Sequence, residues 1–229
     1  MMAARKRFHE ELAELEADIL RMGELAERAV RRSVEALVER DADLAGAVIA
    51  EDDAVDDLYL SVDRRSLQTL ALQTPVAGDL RLISAIIHIN SHLERIADMA
   101  VNISKTWLSV RDLPGSPKIV SQLQEMGDMV CPMIRTSMEA FARRDPELCR
   151  RLPAMDDPVD RLNIGMYEHV SELAGDPALL DWGLRMNMIA RQLERVGDNA
   201  VDVAEQADFL VTGEFHEFTD ASHQVQPHG

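Results

Sequence analysis

Apolar residues recur every three to four positions along most of the 229-residue chain, which is the spacing of one face of an α-helix. Alternation of apolar and polar residues, which would indicate strands, is rare. Six long segments fit the helical period, at residues 8–40, 42–73, 76–110, 117–143, 146–174 and 178–211. The pattern therefore predicts an all-α protein made of six antiparallel helices.

Proline and glycine fall mainly between these segments. Thr74-Pro75 and Asp176-Pro177 each combine an N-cap residue with a proline at the first helical position, where the missing N–H costs nothing. The stretch Leu113-Pro114-Gly115-Ser116-Pro117 indicates a joint between two halves of the chain. We therefore place a first three-helix bundle at residues 1–113, a second at residues 114–213, and a disordered polar tail at residues 214–229.

The two predicted bundles resemble each other in sequence. Of the 37 positions from 22 to 58, 15 carry the same residue as the position 104 places later. The stretch L-E-R-I-A-D-M-A-V at 93–101 returns as L-E-R-V-G-D-N-A-V at 193–201. This agreement indicates an internal duplication and predicts two tandem, similar bundles related by a pseudo-twofold repeat.

Each half carries two pairs of acidic residues spaced four positions apart, so that both members of a pair share one helix face. The pairs are Asp52 with Asp56 and Glu94 with Asp98 in the first half, and Asp156 with Asp160 and Glu194 with Asp198 in the second. The pairs are mirrored about Pro75 and Pro177, and residues equidistant from a helical hairpin's turn lie level with one another. We therefore expect four carboxylates to converge in each half, with Asn102 and Asp202 extending the row.

Four carboxylates in one partly dry patch do not all stay ionised without compensation. Metal cations provide it, because they take carboxylate oxygens as ligands and bridge between them in helical bundles. The alternative is that each acidic pair belongs to a solvated helix face. Histidine is not part of the repeated pattern, since His88 and His92 correspond to Met188 and Gln192. The sequence thus favours a metal site made of carboxylates in each half.

Charge and composition exclude several classes of partner. The chain has 41 acidic and 24 basic residues and a formal charge of −17, which repels nucleic acid and anionic lipid. We find neither a signal peptide nor an apolar run long enough to cross a membrane. We therefore expect a cytoplasmic protein that contacts a membrane only through a partner. Cys131 and Cys149 are expected to be reduced and buried, because they form no zinc-binding pattern.

The sequence offers no evident nucleophile with a general base and no glycine-rich phosphate loop. We therefore predict a protein that is not an enzyme and has no catalytic residues. A carboxylate-bridged hydrolase or oxidase built on the same acidic clusters is the alternative.

Several motifs together resemble the PhoU family, which regulates phosphate uptake in bacteria. They are Met22-Gly23, the Asp52–Asp56 stretch, Q-T-P-V-A-G-D-L-R at 73–81, and the duplicated E-R-[IV]-[AG]-D motif at 94–98 and 194–198. The likeness covers nearly the whole chain. It departs from the family pattern at Ala97, where the family usually has glycine, and at Asp181-Trp182-Gly183, where the Asp-Leu-Arg element of the first half is not repeated.

The resemblance implies two three-helix bundles that bind multinuclear iron or zinc clusters. It also implies an adaptor that restrains the phosphate ABC transporter through its ATPase and holds a sensor histidine kinase in a repressing state. We further expect a homodimer. The metal ligands that the resemblance implies are Asp52, Asp56, Glu94, Asp98 and Asn102, followed by Asp156, Asp160, Glu194, Asp198 and Asp202.

Overall fold

The computed structural model describes the backbone of residues 2–218 and the side chains of residues 6–218, and this part of the chain is helical without any strand. Its helices are α1 (Met2–Glu39), α2 (Ala42–Ala50), α3 (Asp53–Gln73), α4 (Gly78–Leu108), α5 (Pro117–Arg143), α6 (Pro146–Cys149), α7 (Leu152–Ser171) and α8 (Pro177–Thr212). The predicted all-α class is confirmed. The second and fifth predicted segments are each divided into a short and a long helix.

The helices form two similar bundles that lie side by side. In the first, α1, α3 and α4 pack against one another, and α2 packs on α1 and α4. In the second, α5, α7 and α8 do the same, and α6 packs on α5 and α8. The bundles meet through α4 with α8 and through α1 with α5. The predicted tandem three-helix architecture is therefore confirmed.

The duplication extends to the way in which equivalent helices end. Arg40 and Arg144 follow α1 and α5 in the left-handed conformation, with φ of 57° and 55°. Asp41 and Asp145 come next, and each carboxylate accepts hydrogen bonds from two amides at the start of the following helix. These caps satisfy amides that would otherwise lack a partner. In both halves, therefore, a left-handed arginine ends one helix and a capping aspartate starts the next.

The two hairpin turns differ from each other. α8 begins after Asp176, whose carboxylate accepts from the amides of the second and third following residues at 2.9 and 3.3 Å, as predicted. The prediction that Thr74 is an N-cap is wrong, because Thr74 is left-handed at φ 43° and ends α3. α4 begins only at Gly78, so Pro75 lies in the turn and not in the helix. An N-cap needs an extended backbone, which Thr74 does not have.

The segment after α8 folds back onto that helix. The His216 Nδ1 lies 3.0 Å from the Asp208 Oδ2, and the Phe218 N–H donates to the Glu205 Oε1 at 2.6 Å. Residues 214–218 of the predicted polar tail therefore contact the second bundle. Residues 219–229 of that tail lie outside the described residues.

Both cysteine thiols are free and buried, in agreement with the sequence. Burial raises the pKa of Cys131 and of Cys149 to about 12. Between residues 2 and 218, no helix has both the length and the apolar composition that a bilayer-spanning segment requires.

Paired glycines allow α1 and α5 to approach closely between the bundles. A Cβ added to Gly127 would lie 2.9 Å from the Cγ1 of Val34, and one added to Gly23 would lie 2.7 Å from the Cγ of Met138. Gly23 is the repeat equivalent of Gly127, and Val34 is the repeat equivalent of Met138. The two contacts are therefore equivalent. The repeated Met-Gly motif therefore serves the contact between the two halves.

We expect Gly127→Ala to lower the free energy of unfolding by about 1–3 kcal/mol, measured by urea denaturation. The added methyl overlaps Val34, whose branched side chain has little rotamer freedom. The control is Gly46→Ala in α2, where a Cβ would meet no atom within 4 Å. That variant should gain about 0.4–1 kcal/mol from the lower entropy of its unfolded chain. A similar gain for Gly127→Ala would show that the helices are not held at this distance.

Candidate metal centre

The acidic cluster of the second half lies between α7 and α8. Asp156 and Asp160 come from α7, and Glu194 and Asp198 come from α8, which packs against it. Asp156 and Glu194 are each only 7% exposed. The negative charges of Asp160, Asp198 and Glu194 all act on Asp156. The structure therefore brings together the four carboxylates that the sequence predicted to converge, which we call the second cluster.

Burial and mutual repulsion raise the pKa values in the second cluster. Burial, followed by the charges of Asp160 and Asp198, raises the pKa of Asp156 to about 7. Burial and the charge of Asp198 raise the pKa of Glu194 to about 7, although Arg191 acts in the opposite direction. The pKa of Asp198 is raised as well, mainly by burial and then by Asp160. Among the described residues, Arg191 and Arg195 thus do not offset the effects of burial and mutual repulsion on Glu194 and Asp198.

Two oxygens of the second cluster are buried without a hydrogen-bond partner among the residues that the structure describes. They are the Asp156 Oδ1 and the Glu194 Oε2. The other oxygen of Glu194 accepts from the guanidinium of Arg191. Gly197 provides the space for Asp156, because a Cβ at that position would overlap the Asp156 Oδ1. Buried carboxylate oxygens usually have a partner, so these two atoms are natural donors to a cation.

The cluster of the first half has the same four positions but is more solvated. Asp52 and Glu94 are partly buried, whereas Asp56 and Asp98 are exposed. Burial and the charges of Asp56 and Asp98 raise the pKa of Asp52. Burial and then Asp98 raise the pKa of Glu94. These four carboxylates, which we call the first cluster, are therefore also brought together as predicted, although in a wetter environment.

The break between α2 and α3 falls at the first cluster. Asp52 precedes α3 in a helical conformation, and its carboxylate makes no capping hydrogen bond to that helix. The side chain is therefore not used by the start of α3. It lies instead near Asp56 and Asp98, which act on its pKa.

Asn102 and Asp202 extend the rows in different environments. Asn102 is exposed on α4. Asp202 faces the other bundle, where its Oδ2 lies 3.4 Å from the Nδ1 of His92. Burial raises the pKa of Asp202, while His92 and then Arg95 act to lower it. Asp202 also acts on the pKa of Asp198, so it connects the second cluster to the interface with α4.

The sequence did not predict the contribution of His92 and Arg191. The His92 Nδ1 also lies 3.0 Å from the Asn199 Oδ1 across the bundle interface. The repeat gives no indication of a role for His92, because its equivalent is Gln192 and its contacts lie in the opposite half. Arg191 lies three residues before Glu194, which is a spacing that allows contact on a helix and could have indicated the pair.

The described residues include the carboxylate ligands that a cation needs, but their side chains are not arranged to coordinate one. As the side chains stand, no group of three or more His, Cys, Asp or Glu residues described in the structure is arranged to hold a metal ion. The second cluster nevertheless offers four carboxylates, two of them with a buried oxygen that lacks a partner. A bound cation would supply positive charge and link α7 to α8, with Asp156, Asp160, Glu194 and Asp198 as its ligands.

Comparison with known proteins decides the family. A family model described as the PhoU domain matches residues 19–106 and, a second time, residues 123–207. The chain belongs to the PhoU family. The PhoU homologue of Caulobacter vibrioides, named a phosphate-specific transport system accessory protein, is 33% identical over 210 residues and covers 91% of each chain. The double match coincides with the two bundles.

Solved PhoU structures have the same fold. The crystal structure of PhoU from Pseudomonas aeruginosa is 32% identical, with a TM-score of 0.86, and the match covers 90% of this chain and all of that one. The phosphate transport system regulatory protein PhoU of Streptococcus pneumoniae is 26% identical, with a TM-score of 0.83 over 92% of this chain and 99% of that one. The predicted membership of the PhoU family is therefore confirmed over nearly its full length.

Proposed function

We propose that this protein is a cytoplasmic negative regulator of phosphate uptake and of phosphate-starvation signalling. In this role it acts as a metal-binding adaptor between the ATPase of the phosphate ABC transporter and a sensor histidine kinase. The observation that carries the proposal is the full-length match to proteins named as accessory to the phosphate-specific transport system. The duplicated carboxylate clusters support the metal-binding part, because they lie at equivalent places in both matched regions.

The metal-binding part rests on the charge of the clusters. Iron or zinc bound to the acidic clusters would balance negative charge that Arg191 and Arg195 do not fully offset at Glu194. Such a cation also ties the second helix of each hairpin to the first. The adaptor would then present a rigid hairpin surface only when the metal is bound, which gives the metal a structural role in partner binding.

An adaptor needs an exposed surface for its partners, and the hairpin of the second half offers one. Ile164 and Tyr167 on α7 are 74% and 73% exposed, and Leu184 and Met188 on α8 are each 51% exposed. Within each helix these residues are three or four positions apart and therefore share a face. Grouped apolar side chains on the surface of a soluble protein mark interaction sites. We call this surface the α7–α8 face and propose that it contacts a protein partner.

Deletion of the gene tests the regulatory function. Phosphate-starvation genes should stay active in phosphate-rich medium, and the intact protein supplied in trans should restore repression. Reporter expression in high phosphate measures both results. Normal repression in the deletion strain would overturn the proposed function.

Substitution in the α7–α8 face tests the adaptor role. The double variant Ile164→Glu/Tyr167→Glu should no longer co-purify the transporter ATPase or the sensor kinase, because charge at the centre of an apolar contact is costly. The matched control is Leu72→Glu, since Leu72 is 77% exposed on the hairpin of the first half. Equal recovery of both partners with the double variant and with the control would assign partner binding to another surface.

A carboxylate-bridged hydrolase or oxidase is the alternative function. It is favoured by one observation, namely that Asp156 and Glu194 have pKa values of about 7, which suits proton transfer near neutral pH. Metal-loaded protein would then hydrolyse phosphoesters or consume oxygen. Asp98→Ala and Asp198→Ala should abolish that turnover together with metal content. A metal-loaded protein without turnover supports the adaptor.

A further inference from the structure

One methyl group distinguishes the two clusters at equivalent positions of the repeat. The second cluster has Gly197, and the Asp156 carboxylate packs against it so closely that a Cβ would overlap the Oδ1. Because of this space, Asp156 is only 7% exposed, and its Oδ1 is buried without a hydrogen-bond partner in the described part of the chain. The small residue at position 197 thus allows a carboxylate to reach the interior of the bundle.

The first cluster has Ala97 at the equivalent position. Ala97 and Asp52 line one cavity of about 130 Å³ between α1, α2, α3 and α4. Asp52 is only partly buried there, in contrast to Asp156. Where glycine admits the carboxylate in the second half, the methyl of Ala97 occupies the same side of the helix in the first.

The charges around the two clusters differ as well. The cavity at Asp52 is also lined by Arg28 and Arg32 of α1, and Arg32 forms an ion pair with Glu51. The equivalent positions on α5 are Pro132 and Thr136, which carry no charge. Arg28 and Arg32 therefore line the side of the first cluster that faces α1, where the second half has two uncharged residues.

The second cluster has a positively charged side chain beside it, that of Arg191, which contacts one oxygen of Glu194. Arg191 donates to the Oε1 of Glu194, and its side chain is 58% exposed. The Oε2 of Glu194 is buried and has no hydrogen-bond partner between residues 6 and 218. Since Arg191 engages one oxygen from the solvent side, the inward oxygen remains free for a metal ligand role.

We propose that the two clusters are unequal, with the second cluster as the tight cation site of the chain and the first as a weaker site for the same cation. Residues 97 and 197 set the difference by determining how deeply the first aspartate of each cluster is buried. This inference rests on the metal-binding part of the proposed function.

Zinc titration of the full-length, metal-free protein tests the ranking. Zinc has no redox chemistry and takes carboxylate oxygens as ligands. Isothermal titration should show two classes of site, and Asp198→Asn should remove the tight class while Asp98→Asn leaves it intact. Loss of the tight class in Asp98→Asn, or two sites of equal affinity in the wild type, would overturn the inference.

Exchange of the two small residues tests the cause. Gly197→Ala should weaken the tight class by roughly 10- to 100-fold, as expected when the support of a metal ligand is disturbed. Ala97→Gly should strengthen the weak class by a similar factor, and it adds no atom that could prevent folding. Unchanged affinity in Ala97→Gly would show that residue 97 does not control the site, whatever the outcome for Gly197→Ala.

The inference and the proposed regulatory function fail in different ways. Equal zinc affinities overturn the ranking and leave the adaptor untouched. A wild-type protein that binds no zinc overturns both the ranking and the metal-binding part of the proposal. Repression of phosphate-starvation genes in the deletion strain is measured separately and decides the regulatory function by itself.

Discussion

Asp156→Asn is expected to stabilise the metal-free protein at pH 8 and, in the same molecule, to remove the stabilisation given by a bound cation. The folded chain buries the ionised carboxylate of Asp156 among like charges, which raises its pKa from 3.8 to about 7. An amide of similar shape carries no charge and does not incur this cost. We expect the free energy of unfolding without metal to rise by about 1–3 kcal/mol, since one pKa unit corresponds to about 1.4 kcal/mol.

When a cation is present, Asp156→Asn is expected to lower the stability of the protein relative to the wild type. A carboxylate oxygen is a strong ligand for a metal cation, whereas a carboxamide oxygen is neutral and weaker. Zinc should raise the melting temperature of the wild type, because a ligand that binds only the folded state stabilises it. In Asp156→Asn the same zinc concentration should have little effect. The variant is thus expected to be the more stable protein in chelator and the less stable one in zinc.

Urea denaturation at pH 8, in chelator and then in zinc, measures both effects. The matched control is Asp157→Asn, because Asp157 is the next residue on α7 and is exposed. That variant should change the free energy of unfolding by less than about 0.5 kcal/mol and should keep the response to zinc. Destabilisation of the metal-free protein by Asp156→Asn would show that Asp156 is balanced by the chain itself and has no need of a cation.

The fold could be predicted from the sequence because its signals are local and are repeated. The 3.6-residue period of apolar side chains depends only on which face of each helix is buried, and the core follows it at Leu15, Ile19 and Met22 on α1. Asp176 is predictable as a cap because a capping carboxylate followed by proline suits the first turn of a helix. The duplication also predicted equivalent clusters, because equal spacing from two turns places equal residues side by side.

Other features depend on backbone conformation and on contacts between halves, which the sequence does not display. Thr74 and Ala77 both have positive φ, of 43° and 49°, which residues other than glycine seldom adopt, and α4 begins only at Gly78. His92 contacts Asn199 in the opposite bundle, 107 positions away. The repeat compares each residue with its equivalent, and it is silent about pairs that meet across the pseudo-twofold axis. The repeat likewise does not indicate that the charge of Arg95 acts to lower the pKa of Asp202 in the opposite bundle.

The sequence shows that the two clusters differ at one small residue, but it does not show how this difference affects the clusters. Ala97 and Gly197 differ by a methyl group, and only the structure shows that the space left by glycine is filled by a carboxylate. Depth of burial then separates two clusters that have identical acidic residues. Sequence spacing therefore indicates which charged groups lie together, but it does not determine how deeply they are buried.

Metal-free protein is expected to become less stable as pH rises from about 4 to 7, which is contrary to the usual behaviour of paired carboxylates. The pKa values of Asp156 and Glu194 are both raised to about 7 in the folded state, above the ordinary values of 3.8 and 4.5. Between those limits the folded chain binds more protons than the unfolded chain, so stability falls as pH rises. The destabilisation is absent below pH 4 and complete above pH 7.

Neighbouring charges support the direction of this change. Burial is the largest cause for both residues, and the carboxylates that face them add to it, while Arg191 and Arg195 oppose it at Glu194. Burial also raises the pKa values of Asp52, Glu94 and Asp198. All five groups therefore act in the same sense, and the loss of stability should be on the order of 3 kcal/mol over this window.

A bound cation should reverse the slope, and this reversal distinguishes a metal site from a cluster that is merely buried. Metal binds the deprotonated carboxylates, so protons compete with it at low pH and its stabilisation grows as pH rises. Urea denaturation at pH 5 and pH 8 should then show falling stability in chelator and rising stability in zinc. The double variant Asp156→Asn/Glu194→Gln should flatten both slopes, because the two groups that exchange protons for metal are gone. If zinc leaves the wild-type slope unchanged, the carboxylates are buried for another reason, and the cation is not what balances them.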